Sequence, residues 1–580
     1  MEPVKTKSID FIKYSCSIYQ NKKVDTVSIS VIGLDTEAYD DGKCFLIASS
    51  EGDCWHPEEF PRCLFTRKYR QKNFVTYNLK YDSGAFVQKL PYENLNQLRT
   101  TGETLYDDFK YKVIANKCFT ITRKKSSIHI YDIMGFYGGS LDYNAKKYLN
   151  NKKDDIDTKT FTRYYVVHFY QQIYEYCVQD AKLTKDLANL IINKFEQFGV
   201  YPRKLYSTAY VTYQYFKSHC KYPRVNNLWK NNRLVLDYAM RSYKGGKFEI
   251  TVKGTSELYE YDIVSAYPYE IRNLIDISNC RIVYDSKYRK TAVYGFVYCK
   301  IVIPVELPSP IAIQRKGVNI YPTGYIEKVI TKKEYEYFVN NNVDISIIQG
   351  VWLHSDKKTY PFRKEIDKLI QHKKSLDKNK QALDYKTIKI FLNSLYGKFV
   401  QLIDRGDYYA ASSCWNPIYG SIITANTRLR ITEMQRLYPE IIAVHTDSII
   451  STKPLPIKTG KELGDYDFCA SGQGVVLGCG VYQIGDITKI RGFRYKGDLL
   501  SMIDNPNPYI EIDITKVYSW REVCFHNWPK KQINKFEGVK KKLRVDSDKK
   551  RLWMNDYKSF SEVLKRKVVS LPYYYTKSGI

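Results

Sequence analysis

Hydrophobic and polar positions in the first third of the chain predict a mixed α/β unit. Residues 27–38, VSISVIGLDTEA, alternate apolar and polar positions and are rich in β-branched residues, which is typical of a half-buried strand. Strand patterns recur to Tyr131. From Tyr165 to Phe198 the apolar residues follow helical spacing instead, and the Gly199 that follows suits a helix end. We therefore predict a first α/β domain of about 195 residues.

The remaining sequence predicts a second, larger α/β unit. A strand signal at residues 258–263 runs into a Tyr-Pro turn, and a proline-containing region of short strands follows it. Residues 361–400 have a helical pattern, with a break predicted at residues 377–380. Two apolar runs between Ile441 and Thr452 predict a strand pair. The tail after residue 500 is strongly basic.

Composition and charge favour an intracellular protein that binds a polyanion. The chain has 580 residues, and Lys and Arg outnumber Asp and Glu by 91 to 62, which gives a net charge of +29. Such a field attracts nucleic acid, although the coding bias of an AT-rich genome is an alternative source of the lysines and tyrosines. The sequence contains no apolar run of 18 residues that would predict a membrane span. The 13 cysteines form no CxxC pair and the first residues lack a signal-peptide pattern, so we expect a reducing, intracellular compartment, host cytoplasm or nucleus.

A first set of acidic residues predicts a site for hydrolysis of phosphodiesters. Asp35 and Glu37 are two apart on a predicted strand, so both carboxylates point to the same face. Asp82 comes at the predicted end of another strand, and Tyr176 and Asp180 are one helical turn apart. Four carboxylates that converge can hold two divalent ions that activate a water, with the tyrosine orienting that water. The alternative is a solvated strand end.

A second set of acidic residues predicts another paired metal site. Asp262 ends a predicted strand before a Tyr-Pro turn, and Asp447 lies in the predicted hairpin of residues 441–452. These aspartates are far apart in sequence, and they can share metal ions only if their two strands are neighbours in one sheet.

One predicted helix carries residues suited to a nucleotide triphosphate. Lys386, Lys389, Asn393 and Tyr396 recur at spacings of 3, 4 and 3, which confines them to an arc of roughly 80° on a helix. Its lysines suit a triphosphate, and its tyrosine suits stacking on a base. The alternative is an amphipathic helix with Tyr396 in the core.

The order of these motifs resembles the family B DNA polymerases, and specifically their protein-primed branch from phages, viruses and linear plasmids. DTE, NLKYD and YCVQD resemble three exonuclease motifs, and DIVSAYP, KIFLNSLYG and HTDS resemble polymerase motifs A, B and C. SYKGG resembles the YxGG motif, TANTR the TxxAR motif, and GGSLDY the motif that holds single-stranded DNA in the exonuclease. The long spacing between motifs A and B, which in this family holds an insertion that docks the priming protein, indicates the protein-primed branch.

The resemblance implies a role for each matching residue. Asp262 and Asp447 would bind two Mg²⁺ ions, with Mn²⁺ as an alternative, and Asp35, Glu37, Asp82 and Asp180 would bind two more in the exonuclease. Tyr267 would exclude a ribose 2′-hydroxyl, Lys389 would contact the triphosphate, and Asn393 and Tyr396 would line the nascent base pair. Residues implied to contact DNA are Asn78, Tyr81, Ser140, Leu141, Tyr243, Gly245, Gly246, Thr424, Arg428 and Tyr482.

Three departures from the family pattern bear on activity. His445 replaces the first aspartate of motif C, and the period of a strand predicts that it faces the same side as Asp447, where it would tune metal choice or, as we favour, donate a hydrogen bond. Gly480 replaces the lysine of the KxY motif, although Tyr482 is present and Lys489 or Arg491 could supply the charge. The second insertion, which encircles the template in the family, is short.

The resemblance implies a ribonuclease H-like 3′–5′ exonuclease at residues 1–195 followed by a right-hand polymerase at 196–580. It places the palm at 196–269 and 421–500, a terminal-protein insertion at 270–358, fingers at 359–400, a short second insertion at 401–420 and the thumb at 501–580. We expect a monomer that uses DNA primer-template and dNTPs and is primed by a terminal protein. The alternatives are a nucleic-acid-primed family B polymerase and a catalytically inactive DNA-binding factor.

Overall fold

The chain is a mixed α/β protein, as its sequence pattern predicts. The computed structural model describes residues 12–13, 27–154, 156–157, 160–220, 233–404, 408–412, 414–492, 497–554 and 557–577. A first short strand, β1 (Ile12–Lys13), pairs in parallel with a strand at Tyr409–Ala411. Among the helices in these ranges, none has the length and apolar character that a membrane crossing requires.

Residues 31–197 form an N-terminal unit around one sheet. Its elements are β2 (Val31–Ala38), β3 (Cys44–Ser49), β4 (Cys54–Trp55), β5 (Asn73–Thr76), α1 (Leu79–Phe86), α2 (Tyr92–Thr101), β6 (Glu103–Tyr106), β7 (Phe109–Ile114), β8 (Cys118–Arg123), β9 (Ser126–Asp132), α3 (Met134–Tyr137), α4 (Leu141–Leu149) and α5 (Arg163–Gln197). The sheet order is β4-β3-β2-β5-β9-β8-β7-β6, with β2, β5 and β9 mutually parallel.

The long helix α5 crosses the sheet directly over β2. A Cβ atom at Gly33 would lie 1.9 Å from the carbonyl oxygen of Ala181, so only glycine allows helix and strand to approach this closely. The helix nearly coincides with the predicted range 165–198, whereas the strand begins at Val31 rather than at residue 27. This close crossing places the helix residues that follow Tyr176 beside the acidic end of β2.

The second unit contains a central sheet, an inserted sheet and packed helices. In chain order its elements are α6 (Thr208–His219), α7 (Arg233–Ser242), β10 (Lys247–Ile250), β11 (Val252–Ile263), α8 (Ala266–Arg272), β12 (Arg281–Asp285), β13 (Tyr294–Ile303), β14 (Ile313–Arg315), β15 (Val318–Ile320), β16 (Thr323–Thr331), α9 (Lys332–Asn340), β17 (Asp344–His354), α10 (Arg363–Ser375), α11 (Ala382–Phe399), β18 (Leu402–Asp404), β19 (Tyr409–Ala411), α12 (Pro417–Leu437), β20 (Ile441–Thr446), β21 (Ser448–Ser451), β22 (Tyr466–Gly478), β23 (Val481–Ile484), β24 (Ile487–Ile490), β25 (Tyr509–Val517), α13 (Trp520–Phe525), β26 (Phe536–Arg544), β27 (Leu552–Trp553), α14 (Phe560–Lys565), β28 (Val568–Leu571) and β29 (Tyr574–Tyr575).

The central sheet joins strands that are far apart in the sequence. Its order is β10-β20-β21-β11-β22-β23-β24, so β11 lies between β21 and β22. The strand predicted at residues 258–263 is the end of β11, and the predicted strand pair at 441–452 is β20 and β21. Both acidic strands of the second predicted site are therefore neighbours.

The insertion between β11 and α10 folds around its own sheet and core. Strands β12, β17, β13 and β16 are adjacent in that order, and β29 near the C-terminal end pairs with β16. The core of this sheet includes Val297, Ile301, Phe338 and Trp352, all of which are buried. Other residues of the same sheet, including Phe296 and Val351, pack into the core shared with helices α11 and α12.

Contacts from helix α11 and from the predicted thumb range join the units. The predicted break at residues 377–380 separates α10 from α11, and Phe391 of α11 packs against Phe195 and Phe198 at the end of α5, with ring centroids 6.0 and 5.4 Å apart. In the predicted thumb range, Trp520 is buried in the N-terminal core and its indole N–H donates to the hydroxyl of Ser83 at 3.0 Å. The predicted domain boundaries remain predictions, but this segment packs with the N-terminal unit.

Candidate functional site

The first acidic cluster is assembled around Asp35 and Glu37 on β2. One carboxylate oxygen of each residue and the sulfur of Cys177 on α5 all lie within 4.8 Å of one another. Asp180, three residues further along α5, is 1% exposed. Its charge also acts on Asp35, since it raises the pKa of that carboxyl. The structure thus brings together the strand and helix carboxylates that the sequence predicts.

Asp82 joins this cluster from a helix rather than from a strand end. Asn78 has a left-handed backbone (φ +86°) that ends the extended chain after β5, and helix α1 begins at the next residue. The carboxylate of Asp132 caps this helix by accepting from the backbone N–H groups of Asn78 and Leu79 at 3.2 and 3.1 Å. In the first turn of α1, Asp82 accepts a hydrogen bond from the hydroxyl of Thr36 at 2.8 Å. Its predicted strand position is therefore wrong, although its predicted proximity to Asp35 is consistent with the structure.

Lys153 is a site residue that no sequence motif indicates. Its ammonium group bonds the Asp180 carboxylate and lies 4.5 Å from the ring centroid of Tyr176. Tyr176 is 2% exposed and is not among the residues that line the adjacent cavity. The contact of this phenol with the cavity is therefore made through Lys153, and a direct contact with an attacking water remains only a prediction.

A cavity of about 270 Å³ opens onto the carboxylates. The residues implied to hold single-stranded DNA line it together with the acidic residues, and Phe536 from β26 closes one side. The lining comprises Asp35, Thr36, Glu37, Tyr77, Asn78, Tyr81, Asp82, Met134, Gly139, Ser140, Leu141, Lys153, Asp180 and Phe536. The aromatic and polar walls suit the end of a single strand.

The buried acidic groups of this cluster favour the binding of cations. Burial and the neighbouring Asp180 raise the pKa of Asp35 to about 7, although Lys153 partly offsets them. Burial and the Asp35 charge also raise the pKa values of Glu37 and Asp82 well above their ordinary values. Ionised carboxylates this close are stable only beside positive charge, and oxygen donors of this kind suit hard divalent ions. The residues therefore fit the metal ions that the resemblance implies.

The second acidic cluster forms where β11 meets the turn between β20 and β21. The backbone N–H of Ile263 donates to the carbonyl oxygen of Asp447 at 2.9 Å, and Asp262 pairs across the sheet with Ser448. Burial and the neighbouring Asp447 raise the pKa of Asp262 to about 7. Asp262 also pairs with Asp467 on β22. Two aspartates from distant parts of the sequence therefore lie close together where adjacent strands of the sheet end, as the predicted metal site requires.

His445 does not point toward this cluster. Thr446 has a left-handed backbone (φ +69°) and the N–H of Asp447 bonds back to the carbonyl of His445, so a tight turn interrupts the strand period. The imidazole instead stacks on the ring of Tyr482 at 5.0 Å and accepts a hydrogen bond from the N–H of Gly480 at 3.3 Å. Burial lowers the pKa of His445 to about 4, so the ring is neutral at pH 7. The predicted orientation toward the metals is wrong, and the ring accepts rather than donates.

Lys489 supplies a cation near the position where the family motif has a lysine. Its ammonium group donates to both carboxylate oxygens of Glu260, at 3.0 and 3.2 Å, and to the hydroxyl of Tyr482 at 2.8 Å. The hydroxyl groups of Tyr482 and Ser448 also donate to Glu260, at 2.7 and 3.0 Å. Glu260 is two residues before Asp262 on the same strand, and sequence reasoning did not identify it. Because Tyr482 is 3% exposed and bonded within this network, its predicted direct contact with DNA is not available in this structure.

A cluster of tyrosines connects this acidic edge to helix α11. The rings of Tyr267 and Tyr396 are 4.6 Å apart, and the hydroxyl groups of Tyr243 and Tyr396 lie within 2.6 Å. Lys389 and Asn393 are exposed on α11, and Tyr396 is half-buried. The helix therefore presents the residue types that the sequence analysis assigns to a nucleotide.

Lys386 departs from the predicted helix face. Its ammonium group bonds the carbonyl oxygen of Tyr137 and lies 5.2 Å from the centroid of the Tyr137 ring. It therefore anchors α11 to the N-terminal unit, and the interpretation of Lys386 as a ligand of a triphosphate is wrong for this structure.

Arg428 and Thr424 are buried and do not face a surface that DNA can reach. The Arg428 guanidinium donates to the carbonyl oxygens of Lys244 and Gly245 at 2.6 and 2.9 Å, and to Glu334 of the insertion at 2.8 Å. Both residues are at most 1% exposed, and the Thr424 hydroxyl bonds its own helix. Their predicted contact with DNA is therefore corrected to an internal role, in which Arg428 holds the loop of residues 243–246.

The two glycines of that loop differ in what requires them. A Cβ atom at Gly246 would lie 2.5 Å from the side chain of Thr446, so glycine lets the loop pack against the turn that carries Asp447. A Cβ atom at Gly245 would meet open space, which leaves the predicted approach to a phosphate available there.

Comparisons with known proteins identify the family. A family model described as DNA polymerase type B, organellar and viral, matches residues 108–414, more than half of the chain. Asp180, Asp262 and Lys389 lie inside this match, and Asp35 and Asp447 lie outside it. A curated relative, a probable DNA polymerase of Podospora anserina, is 25% identical over 159 residues, 27% of this chain. The match spans only 13% of the length of that relative.

Solved structures of Phi29 DNA polymerase share the fold. The complex with primer-template DNA and incoming nucleotide substrates superposes with a TM-score of 0.64 at 16% identity, covering 89% of this chain and 100% of that chain. The complex with single-stranded DNA superposes with a TM-score of 0.58 at 16% identity, covering 80% and 93%. The predicted fold, an exonuclease domain followed by palm, fingers and thumb, is confirmed by this similarity.

Divalent cations should stabilise the protein more at pH 8 than at pH 5. The pKa values of Asp35 and Asp262 are raised from 3.8 to about 7, so the folded chain retains protons that the unfolded chain has lost, and stability from these groups falls as the pH rises through that interval. At pH 8 both carboxylates are ionised and bind the ion. We expect Mg²⁺ at a hundredfold excess over its Kd to add up to about 2.7 kcal/mol there, and much less at pH 5. Thermal denaturation measures this difference, and equal shifts at both pH values would contradict it.

Replacing Lys489 by Met should destabilise the central sheet because Glu260, whose side chain is 5% exposed, loses its cation. We expect a loss of about 1–3 kcal/mol, the usual effect of leaving a buried group unpaired. Glu260→Gln in the same background should recover part of the loss. Urea unfolding measures each variant. The matched control is Lys461→Met, since Lys461 is 77% exposed beside Asp467 and its loss should change stability by less than about 1 kcal/mol. Equal effects of the two single substitutions would refute a special role for Lys489.

Proposed function

Since the chain belongs to the organellar and viral family of type B DNA polymerases, we propose that it is a DNA-directed DNA polymerase that replicates a viral or plasmid genome. The observation that carries the proposal is the meeting of Asp262 and Asp447 at one sheet edge, next to the tyrosines that lead to Lys389 and Asn393. A fold similar to that of a polymerase captured with DNA and nucleotides supports it.

The proposal gives individual residues of the chain a role in nucleotide addition. Divalent ions bound by Asp262 and Asp447, Mg²⁺ or alternatively Mn²⁺, would lower the pKa of the primer hydroxyl and neutralise charge on the triphosphate. Lys389, exposed on α11, is placed to bind the triphosphate as a point charge. Tyr267 and Tyr396 form an aromatic surface for the sugar and the nascent base pair. Asn393 is exposed one turn before Tyr396 and is placed to contact the same pair.

We also propose that the N-terminal unit is a proofreading 3′–5′ exonuclease. Its support is the carboxylate cluster of β2, α1 and α5, which opens into a cavity lined by Ser140, Leu141 and Tyr81. The ammonium group of Lys153 beside Asp180 is placed to stabilise charge that develops on the leaving oxygen. The domain ranges and the 1–195 boundary belong to this proposal.

We further propose that a protein, rather than a nucleic acid, primes synthesis. A separate terminal protein would supply a Ser, Thr or Tyr hydroxyl as the first primer. The inserted sheet, with its own core, supports a docking role, and Arg428 links it through Glu334 to the loop of residues 243–246 beside the active site. A nucleic-acid-primed polymerase remains the competing function. An inactive DNA-binding factor is disfavoured because both catalytic aspartates are present and adjacent.

Substitutions at the two clusters should have reciprocal effects. Asp262→Ala or Asp447→Ala should reduce primer extension by at least about a hundredfold, because bound metal supplies several kcal/mol of transition-state stabilisation, and should leave single-strand degradation intact. The double substitution Asp35→Ala with Glu37→Ala should do the reverse. Gel assays of extension and degradation measure both.

Two exposed aspartates serve as controls for that experiment. Asp107 pairs with Arg62 on the surface, and Asp504 is 82% exposed beside Lys565. Alanine at either position should change neither activity. Unchanged extension in the Asp262 variant would overturn the polymerase assignment, and unchanged degradation in the Asp35 and Glu37 variant would remove the exonuclease.

Incubation with labelled dNTP, Mg²⁺ and the products of neighbouring genes should label one of those proteins covalently. The label should survive denaturation, and the Asp447→Ala variant should form no adduct because adduct formation uses the same active site. Extension that occurs only from an oligonucleotide, with no labelled protein, would favour the nucleic-acid-primed alternative.

A further inference from the structure

Cys177 is placed among the metal-binding carboxylates of the N-terminal unit, although nothing in the exonuclease proposal uses it. It follows Tyr176 on α5 and is fully buried. Its thiol donates to a carboxylate oxygen of Asp35 at 3.6 Å, and its sulfur lies within 4.8 Å of oxygens of both Asp35 and Glu37. Ligand atoms this close together could bind a single ion.

A second observation points independently to a bound cation. The outer oxygen of Asp82 is buried without a hydrogen-bond partner among the described residues, and the whole residue is 2% exposed. Asp82 lines the same cavity as Asp35 and Glu37, and the Asp35 charge acts on it. A buried carboxylate oxygen without a partner is costly, and a cation held jointly with Asp35 and Glu37 would satisfy it.

We propose that Cys177 makes this cluster a binding site for thiophilic divalent cations such as Zn²⁺ and Cd²⁺. Mg²⁺ prefers oxygen ligands, whereas a sulfur ligand favours softer ions, and a coordinating thiol releases its proton to solvent on binding. Asp35, Glu37 and Cys177 would supply three ligands of a closed tetrahedral site, and Asp82, which lines the same cavity as Asp35 and Glu37, would be the fourth. Such a site leaves no position for a water, so the bound ion blocks hydrolysis while it is held.

Cadmium binding to the full chain tests the ligand set directly. Cd²⁺ should produce a sulfur-to-cadmium charge-transfer band in the ultraviolet, and equilibrium dialysis gives the affinity of the same site. Cys177→Ser should remove this band, and Cys177→Ser and Asp35→Asn should each weaken the tightest site by at least about tenfold, the usual effect of losing a metal-site partner. Cys177→Ala is a second variant, and circular dichroism establishes that each variant is folded.

Two other cysteines serve as matched controls. Cys469 is exposed and lies near Asp262, whose charge acts on it, and Cys299 is buried in the core of the insertion. Serine at either position should leave the tightest cadmium site unchanged. Persistence of the band in Cys177→Ser, or unchanged cadmium affinity in Asp35→Asn, would overturn the proposal.

The consequence for activity rests on the proposed exonuclease, but the binding result does not. With Mg²⁺ present, added Zn²⁺ should slow single-strand degradation by the natural chain by at least about tenfold, and the slowing should be smaller in Cys177→Ser when each protein is compared with its own rate in Mg²⁺ alone. Equal inhibition of both proteins would contradict the inference. If the chain degrades no single strands in Mg²⁺, the exonuclease proposal fails, and the cadmium titration still decides whether the site exists.

Discussion

Repulsion between buried carboxylates is the constraint on which the structure depends. At both sites, acidic side chains from distant parts of the sequence are held close together and partly out of water, where each ionised group raises the pKa of its neighbours. The fold supports this arrangement through packing and backbone hydrogen bonds, such as the close crossing of α5 over Gly33 and the bond from Ile263 to Asp447. Both sites are therefore organised before a cation binds, and the cation supplies the missing charge.

His445 and Gly480, which depart from the family motifs, belong to one network that changes where charge lies in the central sheet. A neutral His445 accepts from the N–H of Gly480, and the charged pair is formed by Glu260 on β11 and Lys489 on β24. Gly480 has a left-handed backbone (φ +73°), and a Cβ atom there would lie 3.1 Å from Arg491 and Phe248, so a lysine at that position would be strained. Tyr482 stacks on His445 and hydrogen-bonds with Glu260 and Lys489, so it connects the neutral pair of His445 and Gly480 to the charged pair. A positive group thus remains near Asp262 and Asp447, although it comes from another strand.

The sequence predicts the helices, the strands and the acidic site residues of this fold better than it predicts the turns and the tertiary contacts. Asp35, Glu37 and Asp180 lie on a strand and a helix whose hydrophobic periods are clear, and their convergence follows from the sheet. Asp82 was placed on the wrong element because the left-handed turn at Asn78 depends on Asp132, which is distant in sequence. The orientation of His445 was wrong because the turn at Thr446 breaks a period that the apolar residues alone suggest. Lys153, Glu260 and the internal role of Arg428 carry no local pattern, since their partners are set by tertiary packing.

Helix α11 connects the two proposed active sites physically. Its outer side presents Lys389 and Asn393, and on its inner side Phe391 stacks on Tyr215 at 4.4 Å and packs against α5. Asp384 pairs with Lys194 at 2.8 Å, and Lys386 bonds Tyr137 of the N-terminal unit. Because α5 also carries Asp180, one helix positions a carboxylate of the N-terminal acidic cluster and supports the helix proposed to bind the nucleotide. The geometry of the nucleotide site therefore depends on the packing of the N-terminal unit, and any movement of α11 that bends at the break before it must preserve or replace these contacts.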